Sequence, residues 1–174
     1  MRVLVIGASG TGTSTLGRAL AADLGCTWID ADDMFWLPTE PPFTTKRPRD
    51  ERLAMILDAL SAGGVVSGSI VGWGGALEDS FDLIVFVTLD TAARLERLRA
   101  RELERFGHVN ETFLAWAARY DDDDLAEGRS RKLHEAWLAD RPNVMRLDGA
   151  VSTRDQVSVV RARLQRTTST VTVE

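Results

Sequence analysis

Near its N-terminus the chain reads Gly7-Ala8-Ser9-Gly10-Thr11-Gly12-Thr13-Ser14-Thr15, a glycine-rich stretch that indicates the class of fold. It follows a continuous apolar run at residues 3–6, which is typical of a buried strand, and it precedes leucines at helical spacing. Glycines between a strand and a helix let successive backbone N–H groups turn inward around an anion, at the positive end of the helix dipole. The stretch is therefore predicted to bind phosphate groups, with these candidate contacts: Gly7, Ser9, Gly10, Thr11, Gly12, Thr13, Ser14 and Thr15.

The loop departs at one position from the P-loop pattern G-x-x-x-x-G-K-[ST], because Thr13 stands where the pattern has lysine. That lysine brings a full positive charge to the β- and γ-phosphates, and losing one such preorganised donor costs about 3 to 4 kcal/mol of transition-state stabilisation. Ser14 keeps the hydroxyl that binds Mg²⁺. Either another cation reaches the phosphates, or the protein binds nucleotide without turning it over at a useful rate.

A dinucleotide-binding Rossmann loop is the alternative interpretation. The glycines of the loop resemble those of short-chain dehydrogenases, and Asp30 ends the second predicted strand, where an acidic residue would contact a ribose. However, Tyr120 is the only tyrosine, and it lacks the lysine that follows the catalytic tyrosine in such enzymes. Ser14 has a defined role in a P-loop and none in a Rossmann loop. The pattern favours a P-loop, with an NAD(P)-dependent oxidoreductase as the alternative.

Composition excludes several other classes of protein. A formal net charge of −5 argues against a protein that coats nucleic acid, which needs a cationic surface to displace counterions. The apolar runs are far shorter than the ~20 residues that cross a bilayer. Cys26 is the only cysteine, so no disulfide can form within the chain. We expect a cytoplasmic monomer or homodimer, without membrane or nucleic-acid partners, that acts on a small molecule.

Strand-like and helix-like segments alternate along the 174 residues. Further strands are predicted at residues 27–30, 65–68, 83–88 and 143–147, and helices at 49–61, 91–106, 111–120, 129–139 and 152–165. The pattern predicts a doubly wound α/β fold with a five-stranded parallel sheet and ligands at the carboxyl ends of the strands. We expect one domain at residues 1–166, with an acceptor region at about 31–62, a helical lid at about 106–131 and a frayed tail at 167–174.

One predicted helix carries a stripe of arginines: Arg94, Arg97, Arg101 and Arg105. Like charges four residues apart destabilise a helix unless an anion lies over them. Glu102 and Glu104 can relieve part of this repulsion, so a bound phosphate and a solvated helix face both remain possible interpretations.

The order of these parts resembles the adenylate-kinase-like family of nucleoside and nucleotide monophosphate kinases, over roughly residues 2–165. The glycine-rich loop and the arginine-rich helix carry the resemblance, together with Arg119-Tyr120-Asp121-Asp122 followed by Arg129 and Arg131, and with Leu147-Asp148-Gly149. The resemblance implies transfer of the ATP γ-phosphoryl group, with Mg²⁺, to a small acceptor such as a nucleoside monophosphate. It also implies that Arg97 and Arg101 flank the donor nucleotide, and that Arg119 with Arg129 or Arg131 clamps the phosphates as catalytic residues.

Candidate acceptor residues follow the second predicted strand. Kinases that resemble shikimate and gluconate kinases place a carboxylate there, and among Asp30, Asp32 and Asp33 we expect Asp32 to be catalytic. Any one of the three could instead cap a turn. The remaining candidates for the acceptor pocket are Trp36, Lys46, Arg49 and Trp73, and Lys46 could also replace the missing lysine. A nucleobase with a phosphate, a sugar or an aromatic acid would fit, so the acceptor stays open.

Overall fold

The computed structural model describes residues 1–40, 42–122 and 129–170, with side chains up to residue 166. Its centre is one parallel sheet of five strands in the order β2-β3-β1-β4-β5. The strands are β1 Arg2–Gly7, β2 Trp28–Asp30, β3 Gly64–Ser67, β4 Leu83–Thr88 and β5 Val144–Asp148. The predicted fold class is confirmed, and the predicted strand ends differ from the observed ends by at most one residue.

Helices cover both faces of the sheet. They are α1 Thr13–Leu24, α2 Ala31–Phe35, α3 Arg49–Ala59, α4 Gly75–Glu78, α5 Thr91–Phe106, α6 Glu111–Ala118, α7 Arg131–Ala139 and α8 Thr153–Thr170. A 3-10 turn, Arg119–Asp121, follows α6 directly. Among the described residues, no helix is both long enough and apolar enough to cross a membrane.

The central strand β1 contributes residues to two hydrophobic cores, one on each side of the sheet. Its residues Val3 and Val5 pack with α1 and α8, whereas Leu4 and Ile6 pack on the opposite face, where Ile56 of α3 is fully buried. A strand that is covered on both faces reads as an unbroken apolar run, which is why β1 was recognisable in the sequence. The loop after β1 therefore leaves the middle of a rigid sheet.

The strand order excludes the Rossmann alternative. In a dinucleotide-binding sheet the second strand lies next to the first, whereas here β3 separates β1 from β2. The interpretation as an NAD(P)-dependent oxidoreductase is therefore wrong.

Three features differ from the expected helices. No helix was predicted where the short helices α2 and α4 lie, and α8 runs to Thr170, beyond its expected end at residue 165. The backbone is thus helical through the first part of the segment that was expected to fray. Residues 171–174 of that segment, and residues 123–128 of the expected lid, lie outside the described residues.

Candidate active site

The backbone conformation of the glycine-rich loop favours glycine over residues that have a Cβ atom. Gly10 has a φ of 88°, and a Cβ there would come within 2.6 Å of the Arg94 carbonyl oxygen. Gly12 has a φ of 99° and immediately precedes α1. The buried Thr11 closes the turn, because its backbone N–H and its hydroxyl both donate to the Ala8 carbonyl, at 3.2 and 2.9 Å. The loop therefore has its own fixed shape at the N-terminus of α1.

Arg94 of α5 forms a hydrogen bond to the backbone of this loop. Its side chain is fully buried, and its Nη1 donates to the carbonyl oxygens of Ser9, at 3.3 Å, and Ala117, at 3.1 Å. Its Nη2 donates to Thr91 Oγ1 at 2.9 Å and lies 3.4 Å from an Asp121 carboxylate oxygen. The expectation that Arg94 belongs to an anion-binding or solvated stripe is wrong, since its guanidinium is committed to the protein interior.

Ser14 and Asp30 meet at the carboxyl edge of the sheet. The Ser14 hydroxyl donates to Asp30 Oδ2 at 3.2 Å, while Asp30 Oδ1 accepts from the backbone N–H of Asp32 at 3.1 Å. Asp30 thus caps α2, which agrees with the alternative interpretation that one of the three aspartates caps a turn. Burial raises the pKa of the Asp30 carboxyl, and the hydrogen bonds from Asp32 and Ser14 oppose that rise.

These two side chains fit a magnesium site of the kind that nucleotides complete. Mg²⁺ prefers oxygen ligands, and with nucleotides it takes one or two from the protein, the others coming from phosphates and water. The Ser14 hydroxyl and the Asp30 carboxylate offer such a pair beside the loop. Among the described residues, no cluster of three or more histidine, cysteine or acidic side chains could hold a metal without such help.

Asp32 and Arg129 join the loop in one cavity. Arg129 Nη2 donates to Asp32 Oδ1 at 2.7 Å, and both side chains remain partly accessible. The cavity also contains Thr13, the residue in place of the lysine. Its lining residues are Gly7, Ala8, Ser9, Thr13, Ser14, Asp30, Asp32, Gly68, Ser69, Trp116, Ala117, Tyr120 and Arg129. Of the predicted catalytic residues, Asp32 and Arg129 therefore lie beside the loop.

A buried hydrogen-bond network forms one wall of this cavity. His134 of α7 links Ser69, which follows β3, to Tyr120 in the 3-10 turn, with Nε2···Oγ and Nδ1···Oη distances of 3.1 and 2.8 Å. Burial, and secondarily the charge of Arg129, lowers the pKa of His134 to about 4. Burial also raises the pKa of the Tyr120 phenol. At neutral pH the imidazole is uncharged, with one donor and one acceptor nitrogen to hold the two hydroxyls.

A wider cavity of about 430 Å³ lies on the other side of the loop. Arg97 and Arg101 of α5 line it, and Arg97 Nη2 donates to the Gly149 carbonyl at 3.1 Å. The remaining lining residues come from α1, α5, the start of α8 and the loops before α1 and α8: Gly10, Thr11, Gly12, Thr15, Leu98, Gly149, Ala150, Val151, Ser152, Thr153 and Gln156. Its volume suits a small molecule.

Other predicted residues lie apart from both cavities. Arg131 forms an ion pair with Asp121 at 2.6 Å, and Arg119 forms one with Asp122 at 3.3 Å. Asp33 and Lys46 are exposed, and Trp36 pairs with Lys46 through an isolated antiparallel bridge.

Trp73 and Arg49 are joined by a hydrogen bond. Trp73 is only 2% exposed and packs in the core against Phe35. Its ring therefore does not offer an acceptor the exposed face that a residue of the acceptor pocket would need. Arg49 is exposed, and its Nε donates to the Trp73 carbonyl oxygen at 3.2 Å.

Several residues of the site were not identified from the sequence. Ser69 and Trp116 line the first cavity, and nothing in their spacing marks them. Tyr120 also lines it, and it belongs to a segment that carries the family resemblance, but no role was predicted for its side chain.

The chain is similar to known proteins over most of its length. Residues 3–108 match the AAA domain family. The uncharacterized protein YqaC of Bacillus subtilis (strain 168) is 40% identical over 169 residues, which cover 90% of this chain and 93% of that protein. A crystal structure of a gluconokinase from Sinorhizobium meliloti 1021 superposes with a TM-score of 0.61 at 20% identity, covering 98% of this chain and 94% of the other.

Proposed function

We propose that this chain, which belongs to the AAA domain family and has the P-loop kinase fold, transfers the γ-phosphoryl group of ATP to a small acceptor. One observation carries the proposal: a single cavity at the carboxyl edge of the sheet contains the phosphate-binding loop, a carboxylate and an arginine. Phosphoryl transfer needs few other parts, because its catalysis consists mainly of positioning and charge stabilisation.

The nucleotide would lie across the loop, with its phosphates at the N-terminus of α1. The cavity of about 430 Å³ beside Arg97 and Arg101 would then receive the nucleoside. Ser14 and Asp30 would hold Mg²⁺, which neutralises charge on the β- and γ-phosphate oxygens when it is bound. The hydroxyl and backbone groups of residues 7–15 would hold the phosphates, as the sequence predicted.

Asp32 and Arg129 would act on the reacting groups. The acceptor hydroxyl oxygen forms a bond to the γ-phosphorus while the bond to the bridging oxygen breaks, and ADP leaves. The hydroxyl proton passes to Asp32, whose carboxylate lies in the cavity with the loop. Arg129 is the arginine that lines the same cavity as Thr13, and we propose that it supplies the charge of the missing lysine.

The ion pairs of Arg119 and Arg131 give these residues a different role in the proposal. Asp122 and Asp121 hold their guanidinium groups outside the cavity. They would contact the phosphates only if the lid closed and these pairs exchanged partners. Arg129 is therefore the first residue to test.

Nucleotide binding without appreciable turnover is a second candidate function, and Thr13 favours it. Threonine offers the β- and γ-phosphates a hydroxyl in place of a charge, which alone would slow transfer by about 10² to 10³. A measurement of turnover separates the two candidates.

The proposal can be tested by incubating the protein with Mg²⁺, ATP and a panel of acceptors, and measuring ADP release. The panel should contain nucleoside monophosphates, as the family resemblance suggests, and gluconate, because the structural neighbour is a gluconokinase. We expect acceptor-dependent ADP release that Asp32→Asn abolishes, while ATP binding persists. Tight ATP binding without acceptor-dependent release across the panel would support the binding module instead.

A further inference from the structure

Three buried side chains in the wall of the cavity that contains the glycine-rich loop have more protons than they use among themselves. His134 is 1% exposed, and its two ring nitrogens lie 3.1 Å from Ser69 Oγ and 2.8 Å from Tyr120 Oη. Its imidazole, whose pKa burial lowers, is neutral at pH 7 and carries one N–H, while each hydroxyl carries one O–H. Three protons thus serve two hydrogen bonds, and one hydroxyl keeps a proton that the network does not use.

The two distances indicate that the unused proton belongs to Ser69. Hydrogen bonds from an O–H donor are shorter than those from an N–H donor. The distance of 2.8 Å therefore fits donation by the Tyr120 hydroxyl to Nδ1, and that of 3.1 Å fits donation by Nε2–H to Ser69 Oγ. A serine O–H can also rotate toward a ligand, whereas a phenolic O–H stays near the plane of its ring.

The unused O–H of Ser69 borders the place where phosphate groups would lie. Ser69 follows β3, whose last residue, Ser67, pairs with Val5 of β1. The Ser67 hydroxyl donates to the Thr13 carbonyl oxygen at 3.2 Å, which ties this end of β3 to the start of α1. Ser69 lines the same cavity as Ser9 and Thr13 of the loop. A phosphate group on the loop would offer this O–H a charged acceptor oxygen, which forms a stronger hydrogen bond than a neutral one does.

We propose that the Ser69 hydroxyl donates a hydrogen bond to a phosphate oxygen of the bound nucleotide, and that His134 is the positioning residue that makes Ser69 a donor. Tyr120 fixes the tautomer from the other side of the imidazole ring. The contact with the nucleotide rests on the proposed kinase function, whereas the tautomer of His134 does not. This donor adds to the charge of Arg129 beside a loop in which Thr13 replaces the lysine.

The tautomer can be measured directly, because the chain has only two histidines. Long-range proton–nitrogen NMR correlation spectra of isotope-labelled protein distinguish the protonated from the unprotonated ring nitrogen. The signals of His134 are assigned with a His108→Gln variant, since His108 is exposed. We expect His134 to be neutral and protonated at Nε2 at pH 7. Protonation at Nδ1 would leave the unused proton on Tyr120 and would overturn the inference.

Serine variants test whether this proton reaches the nucleotide. Ser69→Ala should lower kcat with the best acceptor at least about tenfold, which is the loss expected for a hydrogen bond to a charged group. Ser80→Ala is the matched control, because it removes a hydroxyl that donates to the Leu77 carbonyl oxygen at 2.8 Å, outside both cavities. This control should leave kcat unchanged.

His134→Asn tests the positioning role, because asparagine keeps a polar group near Nδ1 for Tyr120 but does not reach Ser69. If His134 acts through Ser69, its replacement should have no effect once Ser69 is alanine. The kcat of His134→Asn/Ser69→Ala should therefore equal that of Ser69→Ala, although His134→Asn alone lowers kcat. A residue that only stabilises the fold would lower the Tm and would not show this dependence on Ser69.

Equal kcat values for Ser69→Ala and Ser80→Ala, or additive losses in the double variant, would overturn the inference and leave the kinase proposal intact. If His134→Asn does not fold, the tautomer of the wild type and the two serine variants decide the outcome.

The same variants remain informative if the wild type binds ATP without turning it over, which would refute the kinase proposal. The Kd of ATP then replaces kcat as the measured quantity. Ser69→Ala should raise this Kd at least about tenfold relative to Ser80→Ala, and equal Kd values would overturn the inference.

Discussion

Thr13 and Arg129 define the chemical question at the scale of single residues. The threonine takes a charge away from the phosphate loop, and the arginine brings one into the same cavity from the segment before α7. The family pattern places its lysine on the loop itself, so the charge here would come from a different element. This role of Arg129 can be tested by restoring a lysine at position 13 of the loop.

We expect Arg129→Gln to lower kcat by about 10² to 10³, because it removes one preorganised charge from the transition state. Restoring the loop lysine in that background, as Thr13→Lys/Arg129→Gln, should recover at least about tenfold of the loss. Steady-state ATP turnover with the best acceptor measures both effects. Arg146→Gln is the matched control, because it also removes one arginine but alters a partly exposed pair with Glu135 outside both cavities. A kcat within twofold of the wild type for Arg129→Gln would assign the missing charge to another residue.

A residue's place in the fold can be predicted from the sequence where it depends on its neighbours along the chain. The loop of residues 7–15 and Asp30 were predicted in this way, and both lie at the carboxyl edge of the sheet. Trp73 was predicted to line the acceptor pocket with its aromatic face, but its ring packs in the core. Burial depends on contacts with Phe35 from another part of the chain, which local sequence does not contain.

Among the secondary-structure elements, α5 has two different roles along its length. Its first turn contributes the buried Arg94, which holds the loop and α6 together through the carbonyls of Ser9 and Ala117. Further along, Arg97 and Arg101 line the wider cavity. The arginine spacing predicted a single stripe, but a helix that passes from the interior to a cavity divides such a stripe between structure and binding.

Replacing Arg94 with methionine should destabilise the protein by about 2 to 4 kcal/mol, because buried carbonyls lose a charged hydrogen-bond donor. Equilibrium urea unfolding measures the loss. Arg105→Met on the same helix is the control, since Arg105 is exposed and its guanidinium lies over the neighbouring Phe106 ring. If both variants lose the same stability, then Arg94 does not hold these elements together.

At the scale of the whole molecule, the sequence predicted the strands, their parallel direction and the helical covering. It did not predict their spatial order. Continuous apolar runs indicate strands that are buried on both faces, whichever strand lies beside them. The insertion of β3 between β1 and β2 depends on how α1 and α3 cross the sheet, and that insertion excludes the Rossmann alternative.

The buried His134 makes the stability of the molecule depend on pH. Its pKa in the folded protein is about 4, below the ordinary value of 6.5, so between these values the unfolded chain binds more protons. Stability therefore falls as the pH decreases through this window, by about 2 kcal/mol at pH 5 from this group. Urea unfolding at pH 7.5 and pH 5 should show that His134→Gln loses less stability than the wild type.

Other groups in the same region do not confuse this comparison. The raised pKa of Asp30 acts in the opposite direction, because protonation of that carboxyl is favoured in the folded state. The charged neighbours of His134 that affect its titration are Arg129 and Glu135. All three groups are present in both proteins. Equal losses in the wild type and in His134→Gln would contradict a buried, neutral imidazole.

Nucleotide binding at the glycine-rich loop is tested by thermal unfolding with and without saturating Mg²⁺ and ATP, because this measurement does not require the acceptor to be known. Nucleotide at ~100 times its Kd adds about 2.7 kcal/mol of stability. For a protein of this size, we expect a rise in Tm of about 5 to 10 °C. NADPH at the same concentration should give no rise. A Tm that ATP leaves unchanged at millimolar concentration would contradict nucleotide binding at residues 7–15 and the kinase function built on it.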